Sequence, residues 1–303
     1  MKTPFNKETF SQVMKPRLSM AHLSLEYENI ESTIYKECTE MRNRIGAVAY
    51  DTITDYEVTP SSEQLEDAIY EAALDYMQRA ILHYSLYHHI IYLIANVSND
   101  GVTVTKSDDK TTLYKYQQDQ LEQQLLIDAH FWMNRLLGHL IANSSYFGDW
   151  AHSNEGQQLT SLPVTITDFD YHTGIDDLSF LLYASWIVRE VEREQVIPRI
   201  GDQTVIYTNA IKRAICYETV GRACQRLAYH CLPTPIRYDI NNEMGKNHAA
   251  QEDTHIRQTV AGEYLKKAAA YWTEVETEQQ RNELIAAMYP QPKRITESQP
   301  FAW

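Results

Sequence analysis

A unit of two long helices joined by a short β segment constrains the fold of this chain most, and the sequence predicts that unit twice. In the first half, residues 65–97 and 116–142 have the apolar spacing of amphipathic helices, with turn and strand signals between them. In the second half, helices are predicted at residues 204–231 and 248–289. Internal repetition restricts architecture more than any single residue does. We therefore predict a mainly α fold of two helix–β–helix units, interpreted as a tandem duplication of one helical bundle.

The β segment of the first unit is predicted at residues 101–114. Val102 and Val104 stand in a run of alternating β-branched residues, which favours a strand. Residues 107–110 can reverse the chain, so that residues 111–114 pair back as a hairpin. A hairpin between two long helices would project from the unit, and Val102 and Val104 are therefore candidate contacts with another subunit.

The β segment of the second unit is predicted at residues 235–247, with Ile236 and Tyr238 in its strand. The order and type of the elements match those of the first unit, whereas the residue identities match poorly. A generic helical fold with chance similarity is the alternative to a duplication. If the second unit is a true copy, Ile236 and Tyr238 are further candidate interface residues.

Loop-forming residues separate the two units. Asparagine, serine, glycine and proline occur together in residues 143–167, which predicts a boundary there. We place a first helical unit at residues 1–150 and a second, similar unit at residues 151–289. Residues 290–303 contain three prolines, which exclude a helix and favour an extended arm.

Aromatic residues supply the remaining interface candidates. Phe301 and Trp303 on the predicted arm would be costly to leave in water, so they could insert into a neighbouring subunit; a clasp within the chain or a frayed terminus explains them equally well. The chain also has 21 tyrosines, many of them on helix stripes, such as Tyr84 and Tyr87. An apolar ring with a polar tip suits subunit contacts, and ordinary half-buried tyrosines are the alternative.

Composition excludes several classes of protein. The 303 residues carry a formal net charge of −14 and give a pI near 5.2, which argues against a nucleic-acid-binding surface with its clustered lysine and arginine. No apolar run approaches the ~20 residues of a membrane-spanning helix, and residues 1–10 lack the apolar stretch of a signal peptide. The four cysteines have no Cys-x-x-Cys spacing, which indicates free thiols in a reducing cytosol.

No residue pattern predicts catalysis. His83, His88 and His89 share a predicted helix, but their spacings do not place two metal ligands side by side on one face. Glu252 and His255 form a Glu-x-x-His pair, half of a di-iron motif that has no second copy in the chain. Glycine-rich phosphate loops and hydrolase motifs are absent. We expect no catalytic residue, cofactor or metal; a helical-bundle metal protein or enzyme using Glu252 and His255 is the alternative.

Three segments of the first unit carry a resemblance to a known family: residues 65–92, residues 96–104 with the sequence Asn-Val-Ser-Asn-Asp-Gly-Val-Thr-Val, and residues 128–140 with Asp-Ala-His-Phe-Trp at their start. In pattern they resemble the head–tail connector (adaptor, head-completion or neck) proteins of tailed phages, especially those of Bacteroides-like phages and prophages. That family consists of small helical subunits with a β excursion between long helices. Its members form a ring, commonly of twelve subunits, beneath the portal.

The resemblance implies a structural role in the virion. By that resemblance we expect a homo-oligomeric ring, a dodecamer as is common in that family, with the portal protein and a tail or second neck protein as partners. DNA would pass through its channel without specific binding, because an acidic lumen repels phosphate. The expected location is the virion neck, assembled in the bacterial host cytoplasm, with no membrane partner. A bacterial scaffold or interaction protein of similar fold is a further alternative.

Overall fold

The computed structural model describes residues 2–5, 7, 10, 27–56, 64–98, 101–104, 115–200, 207–246 and 253–288. This part of the chain is mainly α-helical, as predicted, with a single two-stranded sheet among the described residues. In chain order the elements are α1 Tyr27–Ile45, α2 Ala47–Asp55, α3 Gln64–Ile94, β1 Ala95–Ser98, β2 Gly101–Val104, α4 Lys115–Ala142, α5 Gly148–Ala151, α6 Asn154–Thr160, α7 Ile166–Thr173, α8 Leu178–Val191, a π-helical turn Glu192–Val196, α9 Ile197–Ile200, α10 Asn209–Arg226, a 3₁₀ turn Tyr229–Cys231, α11 Thr234–Lys246 and α12 Asp253–Met288.

The first pair of long helices, α3 and α4, packs antiparallel. His139 Nε2 near the end of α4 lies 2.9 Å from the carbonyl oxygen of Ile69 near the start of α3. Further along, the rings of Tyr76 and Trp132 stack with centroids 6.0 Å apart. Apolar residues at helical spacing, such as Leu136 and Leu140, are completely buried in this pair. The sequence prediction placed both helices correctly, but it extended the first one three residues too far.

The observed hairpin differs from the predicted one. Val102 pairs with Val97 and Val104 pairs with Ala95, so the partner of β2 is the segment before it. The predicted partner, residues 111–114, lies outside the described residues. Ser98 pairs with Gly101, which leaves two residues between the strands, the shortest common hairpin connection. The predicted reversal at residues 107–110 lies outside the described residues as well.

The second pair of long helices, α10 and α12, is also antiparallel. Arg213 at the start of α10 contacts Glu274, whereas Arg257 NH1 near the start of α12 donates to the carbonyl oxygen of Leu227, 2.9 Å away. The two helix axes approach closely at Gly221. A Cβ atom added there would lie 2.7 Å from a Leu265 side-chain atom, so only glycine fits without a shift.

The predicted β segment at residues 235–247 is wrong, because Thr234–Lys246 forms the helix α11. Pro235 stands in the first turn, where a missing N–H costs nothing. Ile236, Arg237 and Ile240 are buried while Tyr238 is exposed, a spacing of one helical turn instead of the alternation of a strand. The two halves of the chain consequently differ in their middle element.

The predicted boundary at residues 143–167 is not an open loop. It contains α5, α6 and the start of α7, which begins with a capping box between Thr165 and Asp168. Buried residues from both predicted units belong to one hydrophobic cluster. Asn134 of α4 also accepts a hydrogen bond from the backbone of Ser179 in α8, at 2.8 Å. The described helices therefore share a core across the predicted boundary.

Candidate assembly surfaces and buried polar junctions

A buried histidine of α4, His130, joins the two halves of the chain. Its Nδ1 lies 2.8 Å from Asp177 Oδ2 and 3.2 Å from Ser179 Oγ. Its Nε2 lies 2.7 Å from the carbonyl oxygen of His230 and 3.2 Å from Arg237 NH1. His130, Asp177 and Arg237 are all buried. These contacts fix α4 against the start of α8 and the start of α11.

This group contains serine, histidine and aspartate, but it is not arranged as a catalytic triad. In a triad the carboxylate and the serine hydroxyl contact opposite nitrogens of the imidazole ring. Here both Asp177 and Ser179 face the same nitrogen of His130, and the other nitrogen faces a backbone carbonyl. Ser179 is also completely buried. The arrangement suits the positioning of helices and leaves no nucleophile for a substrate.

The charges of this junction compensate one another. Burial alone would raise the pKa of Asp177, but His130 and the backbone N–H of Phe180 outweigh that effect and hold the pKa below its ordinary value. Asp177 is the N-cap of α8, where its side chain accepts the Phe180 N–H at 2.9 Å. Burial lowers the pKa of Arg237, whose guanidinium donates to the carbonyl oxygen of Leu232 at 2.6 Å.

A second buried polar group surrounds Arg44 at the end of α1. Its guanidinium lies 4.6 Å from the ring centroid of Tyr84 and 5.6 Å from that of Tyr183. Arg44 NH2 is 3.8 Å from Glu37 Oε2, and both side chains are buried. Burial raises the pKa of Glu37 although Arg44 opposes the shift, and burial raises the pKa of Tyr84 to about 12. The cation thus holds α1, α3 and α8 together.

An arginine–carboxylate network connects α8, the π-helical turn and α10. Arg222 contacts Glu190, Glu194 at 2.7 Å and Glu218 at 2.5 Å. Glu218 also accepts the indole N–H of Trp272 from α12. Every member of this network has a partner inside the subunit, so these charges stabilise helix packing.

Nothing in the described ranges assembles a metal site. Three or more histidine, cysteine, aspartate or glutamate side chains do not converge anywhere in the part of the chain that the structure describes. His255 is exposed on α12, and its predicted partner Glu252 lies outside the described residues. His83 and His88 on α3 are partly or fully buried, and burial lowers the pKa of both.

Two of the predicted interface residues are inside the subunit. Tyr84 is completely buried beside Arg44, and Ile236 is 1% exposed on the core face of α11, so the prediction that they meet another subunit is wrong. Tyr87 is half-buried and packs against the core. Apolar residues lie on several sides of α3. The sequence alone does not show which sides pack inside the subunit and which would contact another subunit.

The remaining predicted interface residues lie in different parts of the structure or outside the described residues. Tyr238 is 49% exposed on the outer face of α11, in agreement with an accessible position. Val102 and Val104 lie in β2, where the structure gives the strand pairing. Phe301 and Trp303 lie outside the described residues, and so does the whole predicted arm at residues 290–303.

An aromatic face on α3 and α4 consists of the exposed ring of Phe131 and the half-buried rings of Tyr76 and Trp132. Phe131 is 47% exposed and meets Trp132 edge to face, with ring centroids 5.0 Å apart. Arg79 lies 4.5 Å from the Trp132 ring and Arg135 lies 5.3 Å from the Phe131 ring. Aromatic rings with stacked arginines are the residue types enriched in protein interfaces.

A cleft opens beside α2, and we call it the α2 cleft. Its volume is about 340 Å³, at the lower end of the range for binding clefts. Its lining includes the buried rings of Tyr70, Phe147 and Trp150. At its rim stand Val48, which is 44% exposed, and the exposed carboxylate of Asp149.

Sequence reasoning missed most of these features, because each depends on packing between elements distant in the chain. Phe131 stands beside Trp132 in a helix whose apolar stripe is broad, and only the structure shows which side of α4 faces solvent. The N-cap position of Asp177 can be predicted from the sequence, since aspartate directly before an apolar helix is typical of an N-cap. Its pairing with His130 spans 47 residues and has no local signal.

The comparisons with known proteins give one family. A family model described as "Family of unknown function (DUF6712)" matches residues 42–158 and 192–299, well over half of the chain. No curated protein and no solved structure matches the chain. Among the described residues no helix is long and apolar enough to cross a membrane.

Proposed function

The chain belongs to the DUF6712 family, whose function is unknown, and on that premise we propose that it is a structural protein of a phage neck. In this proposal it is a ring subunit that joins the portal and capsid to the tail and lines the DNA channel. Its partners are further copies of itself, the portal protein, and a tail or second neck protein. The site of action is the virion.

One observation carries the proposal: the unit of α3, β1, β2 and α4 is built from the residues that resemble head–tail connectors. The two helices have 31 and 28 residues, and a hairpin follows directly after α3. At 1.5 Å per residue, α3 is about 46 Å long. A long antiparallel helix pair with a projecting hairpin is suited to a subunit that stacks beside its neighbours and reaches a partner ring.

The aromatic face supports a role in assembly. Phe131 is exposed and Trp132 beside it is half-buried, and Arg135 and Arg79 lie against these two rings. Central interface residues of this type contribute most of the binding energy in protein complexes. We assign this face to contact with a neck partner, the portal or the second neck protein.

The distribution of charge and polar groups favours a structural role over an enzymatic one. The formal net charge of −14 would repel DNA phosphates from a channel wall and allow passage without binding. The histidine, serine and aspartate that come together at His130 are buried, and their contacts hold helices in place.

Co-purification with the portal and the second neck protein of the same phage genome tests the proposal. The wild-type chain should be retained by at least one of them. The substitution Phe131→Ser should lower the affinity for that partner about tenfold or more, because a central aromatic contact is lost. Tyr171→Ser is the matched control, since Tyr171 is 79% exposed on α7, away from the aromatic face, and its loss should leave binding unchanged. Failure of the wild-type chain to bind either protein or itself would exclude the proposal.

A further inference from the structure

The second helices of the two long pairs, α4 and α12, follow the same pattern of burial. The patterns coincide when α12 is shifted back by 135 residues, which places the buried Trp272 on the buried Leu137. Between residues 256 and 275 of α12, every position that is not exposed then falls on a position of α4 that is not exposed either. We call a residue of α12 and the residue 135 positions earlier in α4 counterparts.

Contacts with neighbouring helices agree with this register. His139 of α4 contacts the start of α3 at Ile69, and its counterpart Glu274 contacts the start of α10 at Arg213. The helix before each pair packs on the first long helix, α1 on α3 and α8 on α10. The family match also falls in two segments, each of which holds one long pair. The second half thus resembles the first in the arrangement of its helices, with α11 in the place of the hairpin.

One face of α4 is covered by the second half of the chain. Asn134 Oδ1 accepts a hydrogen bond from the backbone N–H of Ser179 at the start of α8, at 2.8 Å. A Cβ atom added at Gly138 would lie 3.8 Å from the side chain of Leu178. One turn before His130, Ile127 lines a shallow groove together with residues of α11. The start of α8 and the helix α11 therefore cover this face.

The counterpart face of α12 is exposed in the part of the chain that the structure describes. It consists of four exposed residues whose counterparts in α4 are all half-buried: Gln258, Gly262, Ala269 and Thr273. At about 100° per residue, these four positions fall within about 60° of one another around the helix axis. A Cβ atom added at Gly262 would meet nothing within 4 Å. We call these four residues the open face.

The open face permits the close approach of another element. Gly262 and Ala269 at its centre project at most a methyl group, and none of its four residues is charged. The exposed positions beside it carry Glu263, Lys266 and Glu274. Because burying a charge is costly and these four positions carry none, a second subunit can cover them without that penalty.

We infer that the open face of one copy is covered by the first half of a second copy of this chain, in the way that the second half covers α4 within the chain. In this contact α1 of the second copy takes the place of α8, because each of them packs on the first helix of a long pair. The hairpin of β1 and β2 takes the place of α11, because each of them lies between the two helices of a pair. The contact inside the chain thereby selects the partner surface.

The inference rests on the proposed function and deepens it, because it names the contact between neighbouring ring subunits. A contact between the second half of one copy and the first half of the next joins two different surfaces. Contacts of this head-to-tail kind generate rings when the rotation between subunits closes, and filaments when it does not. A ring of neck subunits needs a contact of this type.

Two adjacent alanines of α12 provide a matched pair of variants. Ala269 belongs to the open face, and its counterpart Asn134 contacts α8. Ala270 is also exposed, but its counterpart Arg135 is exposed as well and lies outside the covered face. Arginine at either position adds the same side chain to an exposed site of one helix. Both variants should therefore keep the circular dichroism spectrum and the thermal unfolding midpoint of the wild-type chain.

Sedimentation velocity of the full-length chain, alone and mixed with the portal, compares the two variants with the wild type. Ala269→Arg should weaken self-association at least tenfold, because the contact would have to bury an unpaired charge. Ala270→Arg should associate like the wild type. Equal association of the two variants, whether retained or lost, would overturn the inference. A wild-type chain that stays monomeric under both conditions would overturn it as well.

Capture on an immobilised variant separates a head-to-tail contact from a symmetric one between two α12 helices. Immobilised Ala269→Arg should capture wild-type chains, because its first half is unchanged and the wild-type chain supplies an intact open face. It should not capture further chains of Ala269→Arg. Failure to capture wild-type chains would indicate a symmetric contact and would overturn the inference.

The outcomes distinguish this inference from the proposed function. Rings or portal complexes that Ala269→Arg leaves intact would overturn the contact at the open face and leave the neck function standing. Self-association that depends on Ala269, in a chain that binds neither the portal nor a second neck protein, would support the contact and argue against the neck function.

Discussion

At the scale of single residues, the chain places its ionisable groups where they join helices. His130 faces Asp177 at 2.8 Å, and Arg44 lies over the rings of Tyr84 and Tyr183, in both cases between elements far apart in the sequence. Removing the hydrogen-bonding or cation–π partner of a buried charge is costly, because the charge that remains loses its compensation. These residues therefore specify how the helices are arranged, and their loss should be felt in stability.

The substitution His130→Ala should lower the free energy of unfolding by about 3 kcal/mol or more, because Asp177 remains buried without its partner. Urea denaturation monitored by circular dichroism at neutral pH measures the difference. His152→Ala is the control, since His152 is exposed and should change stability by less than about 0.5 kcal/mol. Equal stability of the two variants would contradict the assigned role of His130.

At the scale of elements, two glycines of the second helix pair differ in the space available for a side chain. Gly221 of α10 faces Leu265, and an added Cβ would lie 2.7 Å from its side chain and 3.2 Å from its backbone nitrogen. Gly262 of α12 has nothing within 4 Å of an added Cβ. Both glycines lie inside helices, where alanine is intrinsically preferred by about 1 kcal/mol. Packing alone therefore decides the sign of the substitution at each position.

We predict that Gly221→Ala lowers the free energy of unfolding by about 1–2 kcal/mol, since overpacking outweighs the gain in helix propensity. Gly262→Ala should raise it by up to about 1 kcal/mol. The two variants serve as mutual controls in the same denaturation experiment. If Gly221→Ala were as stable as Gly262→Ala, the close approach of α10 and α12 would be wrong.

The elements also show how far the sequence could predict the fold. Residues 116–142 were predicted as a helix and α4 is Lys115–Ala142, because a long periodic stripe is a strong local signal. The sequence predicts a strand at residues 236–240, because Ile236, Tyr238 and Ile240 alternate with polar residues, whereas the segment is helical. So short an apolar pattern does not distinguish a strand from a helix. The sequence predicts residues 95–97 as the end of the preceding helix, because the apolar stripe continues to Val97, whereas pairing with β2 makes them part of β1.

The candidate site was harder to predict than the fold. The sequence predicts Tyr84 at an interface as an aromatic residue on a helix stripe and Ile236 as part of a projecting β segment, and both are buried. Exposed apolar side chains such as Phe131, Leu284 and Met288 are of the same residue types as core residues and differ from them in the direction of their helix face. That direction depends on which neighbours pack against each helix, and this information is distributed over the whole chain.

At the scale of the whole molecule, the chain is acidic and mainly helical, with a formal net charge of −14. Its buried polar groups hold the helices together, while Phe131 of the aromatic face and the α2 cleft are open to solvent. In the proposed function, an acidic surface would repel DNA from the channel wall. Self-association and binding to a neck partner are therefore the properties that the proposal predicts.

The most direct test is the mass and shape of the purified protein, alone and after mixing with the portal of the same phage genome. Mass photometry gives the number of 35.2 kDa chains in each particle, and negative-stain electron microscopy shows its outline. If the chain is a neck subunit, it should form closed rings of several chains, alone or on the portal. A 35.2 kDa monomer at all concentrations, with no particle formed on the portal, would contradict it.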